Sequence, residues 1–252
     1  MTKIILCGCG GRMGKAIIAA AKNDYSIVAG VDINASELST ASSFPIYEKI
    51  SDFPDKADVI IDFSHHSAIY SLIEYAKKTN TPIVIATTGH TDEELALIEE
   101  SAKEIAIFRS GNFSLGINLL ITLAKQAAKT LGADFDVEIV EKHHNKKLDA
   151  PSGTAIMIAD AIAGERTDSE YIYDRHSVRK ARESREIGIH SIRGGTIVGE
   201  HEAIFAGQNE IVTISHSAAS REIFATGALR ASAYLAGKSA GLYNMPDMIE
   251  GR

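Results

Sequence analysis

Five short runs rich in β-branched residues, at positions 4–7, 27–31, 59–61, 83–85 and 105–108, are interleaved with helical patterns over 13–21, 68–78 and 92–103. Such alternation is the mark of βα units on a parallel sheet, and it restricts the fold of this chain more than any other feature. The runs are almost continuously apolar, which requires helices on both faces of the sheet. The first half therefore reads as a doubly wound α/β structure.

After Asn112 the grammar changes. A long helix over 115–131 precedes a strand over 137–140, a basic loop, and a helix opening after Ser152 and Gly153. A charged stretch over 175–185 then leads to alternating runs at 187–192, 196–198, 203–205 and 211–214. Their alternation predicts antiparallel or mixed strands in one sheet. A last alanine-rich helix over 222–235 resembles the first half more than the second. No internal repeat or low-complexity tract is present.

With 252 residues, 45% hydrophobic and 23% charged, the chain can form one large domain or two smaller ones. A net charge of −7 leaves no overall basic field for nucleic acid or an anionic membrane, so neither partner is expected. Cys7 and Cys9 are two apart, which suits neither a zinc knuckle nor a CxxC redox pair. A reduced, cytoplasmic protein without a metal is expected. Glycines follow the first run too soon for a signal peptide or a spanning helix.

Gly8-Cys9-Gly10-Gly11-Arg12-Met13-Gly14 follows the first strand and opens a helix. A dinucleotide pyrophosphate would rest there on free backbone N–H groups at the positive end of the helix dipole. The spacing departs from a strict GxGxxG, and taken alone it describes a tight strand-to-helix turn. Asp32, at the end of the second strand, strengthens the nucleotide reading, because an acid there can hold ribose hydroxyls. Asp62-Phe63-Ser64 and Ala86-Thr87-Thr88-Gly89 end further strands on the same edge, where ligands of open α/β sheets bind. Ser64 and Thr88 could equally be helix N-caps, which is compatible with ligand contact.

The stretch over 141–154 gathers His143 and His144, Lys146 and Lys147, and a Pro151-Ser152-Gly153-Thr154 turn opening a helix. Cations and free N–H groups together make a carboxylate site, and the imidazoles titrate near neutrality. Taken alone, adjacent histidines in a basic loop also describe a solvated surface. His65 and His66 form a second pair, supported only by proximity to a cofactor loop. His90, His176, His190, His201 and His216 stand singly and read as structural hydrogen-bonding histidines.

With these residues in view the chain closely resembles the dihydrodipicolinate reductase family of the diaminopimelate–lysine pathway. The matching segments include the Gly-Arg-Met-Gly tail of the glycine loop, Asp62 to Ser64, Ala86 to Gly89, and Asn112-Phe113-Ser114-Leu115-Gly116. They also include the His-His-x-x-Lys-x-Asp-Ala-Pro-Ser-Gly-Thr string, Gly199-Glu200-His201-Glu202, and Ser215-His216 to Arg221. The His-His string is far more specific than any glycine loop. The resemblance implies a Rossmann domain over 1–113 with 218–252, and an inserted α+β domain over 114–217 that binds substrate and builds a homotetramer through its sheet. It implies hydride transfer from a nicotinamide to a cyclic, unsaturated dicarboxylate, giving tetrahydrodipicolinate. His143 matches the general acid, Lys147 a proton-transfer or charge-stabilising partner, and His144 a substrate-binding residue. Ser152, Gly153 and Thr154 match the carboxylate-binding turn. The cofactor set comprises Gly8, Gly10, Gly11, Arg12, Met13, Gly14, Asp32, Phe63, Ser64, Ala86, Thr87, Thr88, Gly89, Asn112 and Phe113.

Many members carry Arg directly after the acid of the second strand, whereas Ile33 follows Asp32 here. NADH is therefore expected to serve at least as well as NADPH. Gly is also common where Ala86 stands. A different two-domain nicotinamide dehydrogenase would share the glycine loop and Asp32 but lack the His-His string. A redox-sensing regulator binding NAD(H) without turnover would need a nucleic-acid or partner surface, which the acidic composition does not offer.

Overall fold

The structure is a computed structural model and describes residues 1–39 and 42–251. It divides into two units, Met1–Ser114 with Arg221–Arg252, and Leu115–Ser220.

The first unit contains β1 (Thr2–Cys7), α1 (Arg12–Ala20), β2 (Tyr25–Val31), α2 (Ala35–Leu38), β3 (Ile46–Tyr47) and β4 (Val59–Asp62). It continues with α3 (Ile69–Thr79), β5 (Ile83–Ile85), α4 (Asp92–Ser101) and β6 (Ala106–Arg109), and the C-terminal segment adds α7 (Glu222–Leu235), β12 (Gly241–Tyr243) and α8 (Met245–Glu250). Seven parallel strands form one sheet in the order β12-β6-β5-β4-β1-β2-β3. Ile4, Ile5, Ile60, Ile61, Ile83 and Ile85 are fully buried, because helices cover both faces. Each such side chain contributes about 1.5–3 kcal/mol by leaving water. The chain runs outward in one direction from β1 and in the other from β4, so the order reverses between these two strands. Open α/β sheets bind ligands beyond the carboxyl ends at that reversal. The sequence patterns missed β3, only two residues long, and β12, whose Gly-Leu-Tyr has no β-branched residue.

The second unit contains α5 (Leu115–Leu131), β7 (Asp136–His143), α6 (Gly153–Ala163), β8 (Glu170–Ile172), β9 (Glu186–Arg193), β10 (Gly199–Ala206) and β11 (Ile211–Ala218). Its sheet order is β11-β10-β7-β9-β8, with β10 antiparallel to β7 and β11, and with β9 parallel to β7 and β8. Leu120, Ala124 and Ala128 of α5 and Ala155, Ile158 and Ile162 of α6 pack with Val137, Ile139, Ile187, Ile189, Ala203 and Phe205 of the sheet. Two expectations are corrected, and one strand was missed. β7 does not stop at Val140 but runs to His143, its buried positions continuing through Glu141 and His143. The 196–198 run is no strand and lies in the connection between β9 and β10. β8, in the polar approach to the charged stretch, was not foreseen.

Candidate active site

In the first unit β1 ends at Cys7 and the chain turns at Gly8, whose φ of +74° favours glycine. A Cβ on Gly8 would stand 2.4 Å from the Phe63 carbonyl oxygen, so this turn lies directly against the loop leaving β4. A Cβ on Gly14 would stand 2.3 Å from the Gly8 carbonyl oxygen, and its absence lets α1 start close to the strand end. Gly11 is the N-cap of α1 and no side chain caps it; the first turn, with Arg12, Met13 and Gly14, carries no acid. That leaves a helix N-terminus receptive to an anion. The Gly10 amide donates to Asp32 Oδ2 at 2.9 Å, and the Asn34 amide donates to Asp32 Oδ1 at 3.1 Å. The carboxylate is thus aimed at the glycine loop, with Ile33 86% exposed beside it. A cavity of about 1420 Å³ is lined by Gly8, Gly10, Gly11, Asp32, Phe63 and Ser64, among others. Its size and its glycine floor fit a dinucleotide.

The remaining cofactor candidates occupy the ends of β5 and β6. The Ala86 amide donates to the Asp62 carbonyl at 3.0 Å, Thr87 Oγ1 reaches the same oxygen at 3.5 Å, and Thr88 and Gly89 are exposed. Neither Ser64 nor Thr88 is a helix N-cap. Ser64 is tied through its amide and hydroxyl to Asp62 Oδ1, at 3.0 and 2.5 Å, while His65 caps the following turn and Thr91 caps α4. Asn112 Oδ1 accepts from the Ser114 amide at 2.8 Å, and buried Phe113 stacks obliquely on Phe63 and Phe108. Ala86, Thr87, Thr88, Gly89, Asn112 and Phe113 do not line the cavity, so their placement is at the strand ends beside it. Burial pushes the Asp62 carboxyl up, and it pushes the Cys9 thiol to about 11. Both cysteines are free and buried.

In the second unit the chemistry converges on Glu141, fully buried on β7. Glu141 Oε2 accepts from Arg193 Nη1 at 2.8 Å and pairs with His143 Nδ1 at 2.5 Å. Its Oε1 accepts from Arg193 Nη2 at 2.7 Å and from the Ser152 amide at 3.1 Å. Burial raises this carboxyl, but the hydrogen bonds from Arg193, Ser191 and His143 together outweigh it and bring it down to about 2. Glu141 is therefore an anion that fixes the imidazole and the turn at once. Burial lowers His143 despite Glu141, with Lys147 and Arg193 adding to the lowering. The free ring is consequently neutral at neutral pH, its Nδ1–H on Glu141 and its Nε2 available.

Lys147 pairs with Asp149 at 2.9 Å, and its amide closes a turn onto the His144 carbonyl. Arg193 Nη2 also donates to the Asp149 carbonyl at 2.7 Å, tying this loop to β9. Ser152 is the N-cap of α6, its hydroxyl accepting from the Ala155 amide at 3.2 Å. Gly153 and Thr154 begin that helix with no acid in its first turn, and a Cβ on Gly153 would meet nothing within 4 Å. Sequence reasoning missed Arg193 and the placement of His201, whose ring stands edge-on to His143 with centroids 5.2 Å apart. Arg193 carried only a weak signal, a cation before Gly194-Gly195. His66, by contrast, sits in the first unit with Nδ1 2.9 Å from Glu94, and His65 caps a short turn. Among the described residues no cluster of metal-ligating side chains occurs, and no helix is long and apolar enough to cross a membrane.

A doubly wound nucleotide-binding sheet joined to a unit carrying a buried Glu–His–Arg cluster and an open helix N-terminus defines a pyridine-nucleotide-dependent oxidoreductase of an anionic substrate. Residues 2–113 match the family model described as dihydrodipicolinate reductase, N-terminus, and residues 116–249 match its C-terminus counterpart. The chain belongs to the dihydrodipicolinate reductase family, whose reaction is the reduction step of the diaminopimelate route to lysine. It is 54% identical over 253 residues to the 4-hydroxy-tetrahydrodipicolinate reductase of Caldanaerobacter subterraneus subsp. tengcongensis, covering 99% of each chain. To the enzyme of the same name from Clostridium tetani it is 50% identical, covering 99% of this chain and 97% of that one. A dipicolinate-bound dihydrodipicolinate reductase from Paenisporosarcina sp. TG-14 superposes with a TM-score of 0.81 at 27% identity, covering 97% of both chains.

Proposed function

We propose that the chain reduces the cyclic dicarboxylate dihydrodipicolinate, formed from 4-hydroxy-tetrahydrodipicolinate, to tetrahydrodipicolinate, with His143 as general acid. The observation that carries this reading is the shared carboxylate Glu141, which holds both His143 and the Ser152 turn. The acid and the carboxylate-binding turn are thereby fixed to each other within one unit. A bound nicotinamide nucleotide supplies the hydride. Hydride arrival at one ring carbon leaves enamine-type electron density at its neighbour, and a positioned imidazolium delivers its Nε2 proton there, returning to the neutral imidazole. Glu141 keeps Nδ1 protonated, so Nε2 is the atom that gains and loses the proton. A substrate dianion beside the lowered imidazole favours its charged form, so the acid is loaded as substrate binds. Lys147 offsets substrate charge, His144 contacts the substrate, and the N–H groups of Gly153 and Thr154, with Ser152, hold a carboxylate.

The unit 1–113 with 218–252 is assigned nucleotide binding, and 114–217 substrate binding and subunit association. Asp32 favours unmodified ribose hydroxyls and repels a 2′-phosphate, and Ile33 brings no compensating charge, so NADH serves at least as well as NADPH. A homotetramer is assigned to the five-stranded sheet, whose face opposite α5 and α6 carries the alternating outward residues of β7 to β11. A cytoplasmic location fits the free cysteines. Dipicolinate tests the substrate assignment. It should inhibit competitively against the cyclic substrate, and Lys147→Ala should weaken that inhibition. Inhibition competitive only against the nucleotide would refute the assignment.

A further inference from the structure

His201 is 4% exposed on β10, opposite Glu141 of β7 on one side and His216 of β11 on the other. Its Nε2 lies 3.1 Å from Ser152 Oγ. Its Nδ1 is buried and has no hydrogen-bond partner among the described residues. Ser152 Oγ also accepts from the Ala155 amide at 3.2 Å. Burial, with a smaller contribution from His143, takes the imidazole down to about 4, so at neutral pH it carries a single N–H.

These contacts decide where that hydrogen sits. On Nδ1 it would be a buried N–H with no acceptor, which folded proteins avoid more strictly than an under-used acceptor. On Nε2 it donates to Ser152 Oγ and leaves only a lone pair unmatched. The Ser152 oxygen then accepts twice, from His201 and from Ala155, and its own proton is not spent on either neighbour. Without His201 the same hydroxyl could turn its proton inward and meet an anion with its lone pairs.

We propose that His201 is a positioning residue for substrate: its Nε2–H, together with the Ala155 amide, fills the acceptor side of Ser152 Oγ and leaves the hydroxyl proton to a ring carboxylate. The inference rests on the reading that the Ser152-Gly153-Thr154 turn holds that carboxylate. It separates two histidines that share a wall, His143 acting on the reacting ring and His201 acting only through Ser152. The role therefore belongs to binding and not to proton transfer.

The test is calorimetric titration of dipicolinate into the full-length enzyme, comparing wild type with Ser152→Ala, His201→Leu, His201→Gln and the Ser152→Ala/His201→Leu double variant. Melting temperature and NADH binding report that each variant is folded. Ser152→Ala and His201→Leu should each raise Kd about tenfold, the loss expected for one hydrogen bond to a charged group. His201→Gln, which keeps an amide N–H within reach of Ser152, should stay within about threefold of wild type. The double variant should bind no worse than the weaker single variant, because one hydrogen bond underlies both losses. In turnover, His201→Leu should raise KM for the cyclic substrate and leave kcat within about threefold. Wild-type affinity in Ser152→Ala would overturn the turn reading itself. Weakened binding in Ser152→Ala with normal binding in His201→Leu would leave that reading intact and overturn the role of His201. So would additive losses in the double variant, or a Gln variant as poor as Leu. Should His201→Leu not fold, His201→Asn removes the same donor with a smaller change in polarity.

Discussion

A carboxylate buried at the end of a strand is costly unless donors surround it, and Glu141 is met by Arg193, His143 and the Ser152 amide. That arrangement fixes which nitrogen of His143 works, so the loss of the ring should fall on the chemical step. His143→Gln should lower kcat by about 100-fold or more while leaving NADH affinity nearly unchanged. Lys147→Ala should lower kcat and also raise substrate KM, because an ammonium near a dicarboxylate serves ground and transition states alike. His65→Gln should keep kcat within about threefold, since His65, on the wall of the first unit's cavity with its ring against His66 and a capping contact to Ser67, lacks the cations and the open helix N-terminus that surround His143. Steady-state kinetics of these variants on one substrate preparation checks the assignment, and a normal His143→Gln beside an inactive His65→Gln would contradict it. At the other ligand site, Asp32→Ala should narrow the ratio of kcat/KM with NADH to that with NADPH; an unchanged ratio would show that Asp32 does not choose the nucleotide. His143, Lys147 and Ser152 were legible in the sequence because they stand within one short string whose residue types already suit a carboxylate. Arg193 and His201 were not, because strand register alone brings them beside Glu141.

Strand pairing carries that second kind of information. β7 pairs with β9 and β10 so that Glu141 meets Ser191 on one side and His201 on the other, and Arg193 lies opposite His143. The apolar runs announced the parallel sheet well, since buried isoleucines repeat there without interruption. The strand β7 was read too short because Glu141 and His143 look like surface residues, and only their donors make them tolerable inside. Thr196-Ile197-Val198 was read as a strand from its β-branched residues, although Gly194 and Gly195 before it and Gly199 after it mark a turn. The same register predicts a pH response. Glu141 stands at about 2 in the folded chain against an ordinary 4.5, so its contribution is present above about pH 4.5 and is lost as pH falls through about 2. His201 stands at about 4 against an ordinary 6.5; the unfolded chain binds its proton more readily, so stability also falls as pH drops from 6.5 through 4. Thermal melting should show both losses. Glu141→Gln should remove the lower one and destabilise the protein at neutral pH, because the half-buried Arg193 loses its anionic partner. A Glu141→Gln protein as stable as wild type at neutral pH would contradict the role given to this carboxylate.

At the scale of the whole molecule, the proposed tetramer would cover the face of the five-stranded sheet opposite α5 and α6. Ile192 of β9 and Ile211 of the edge strand β11 are 46% and 68% exposed. Light scattering should return a mass four times that of the 27.1 kDa chain, and a stable monomer in dilute neutral buffer would remove the tetramer. The division of the chain into two units was visible where βα alternation gives way after Asn112. The return of α7 to the first unit was implied by the family resemblance, while in the residues themselves it showed only as a likeness of composition, since an alanine-rich helix can pack in many places. The most direct test of the account is nucleotide oxidation by the intact enzyme, followed by absorbance, with the cyclic product of the upstream aldolase-type synthase supplied or withheld. The account predicts oxidation of NADH when that compound is present and none with open-chain amino acids or polyols. Oxidation driven by an amino acid or a polyol, with none on the cyclic dicarboxylate, would contradict it.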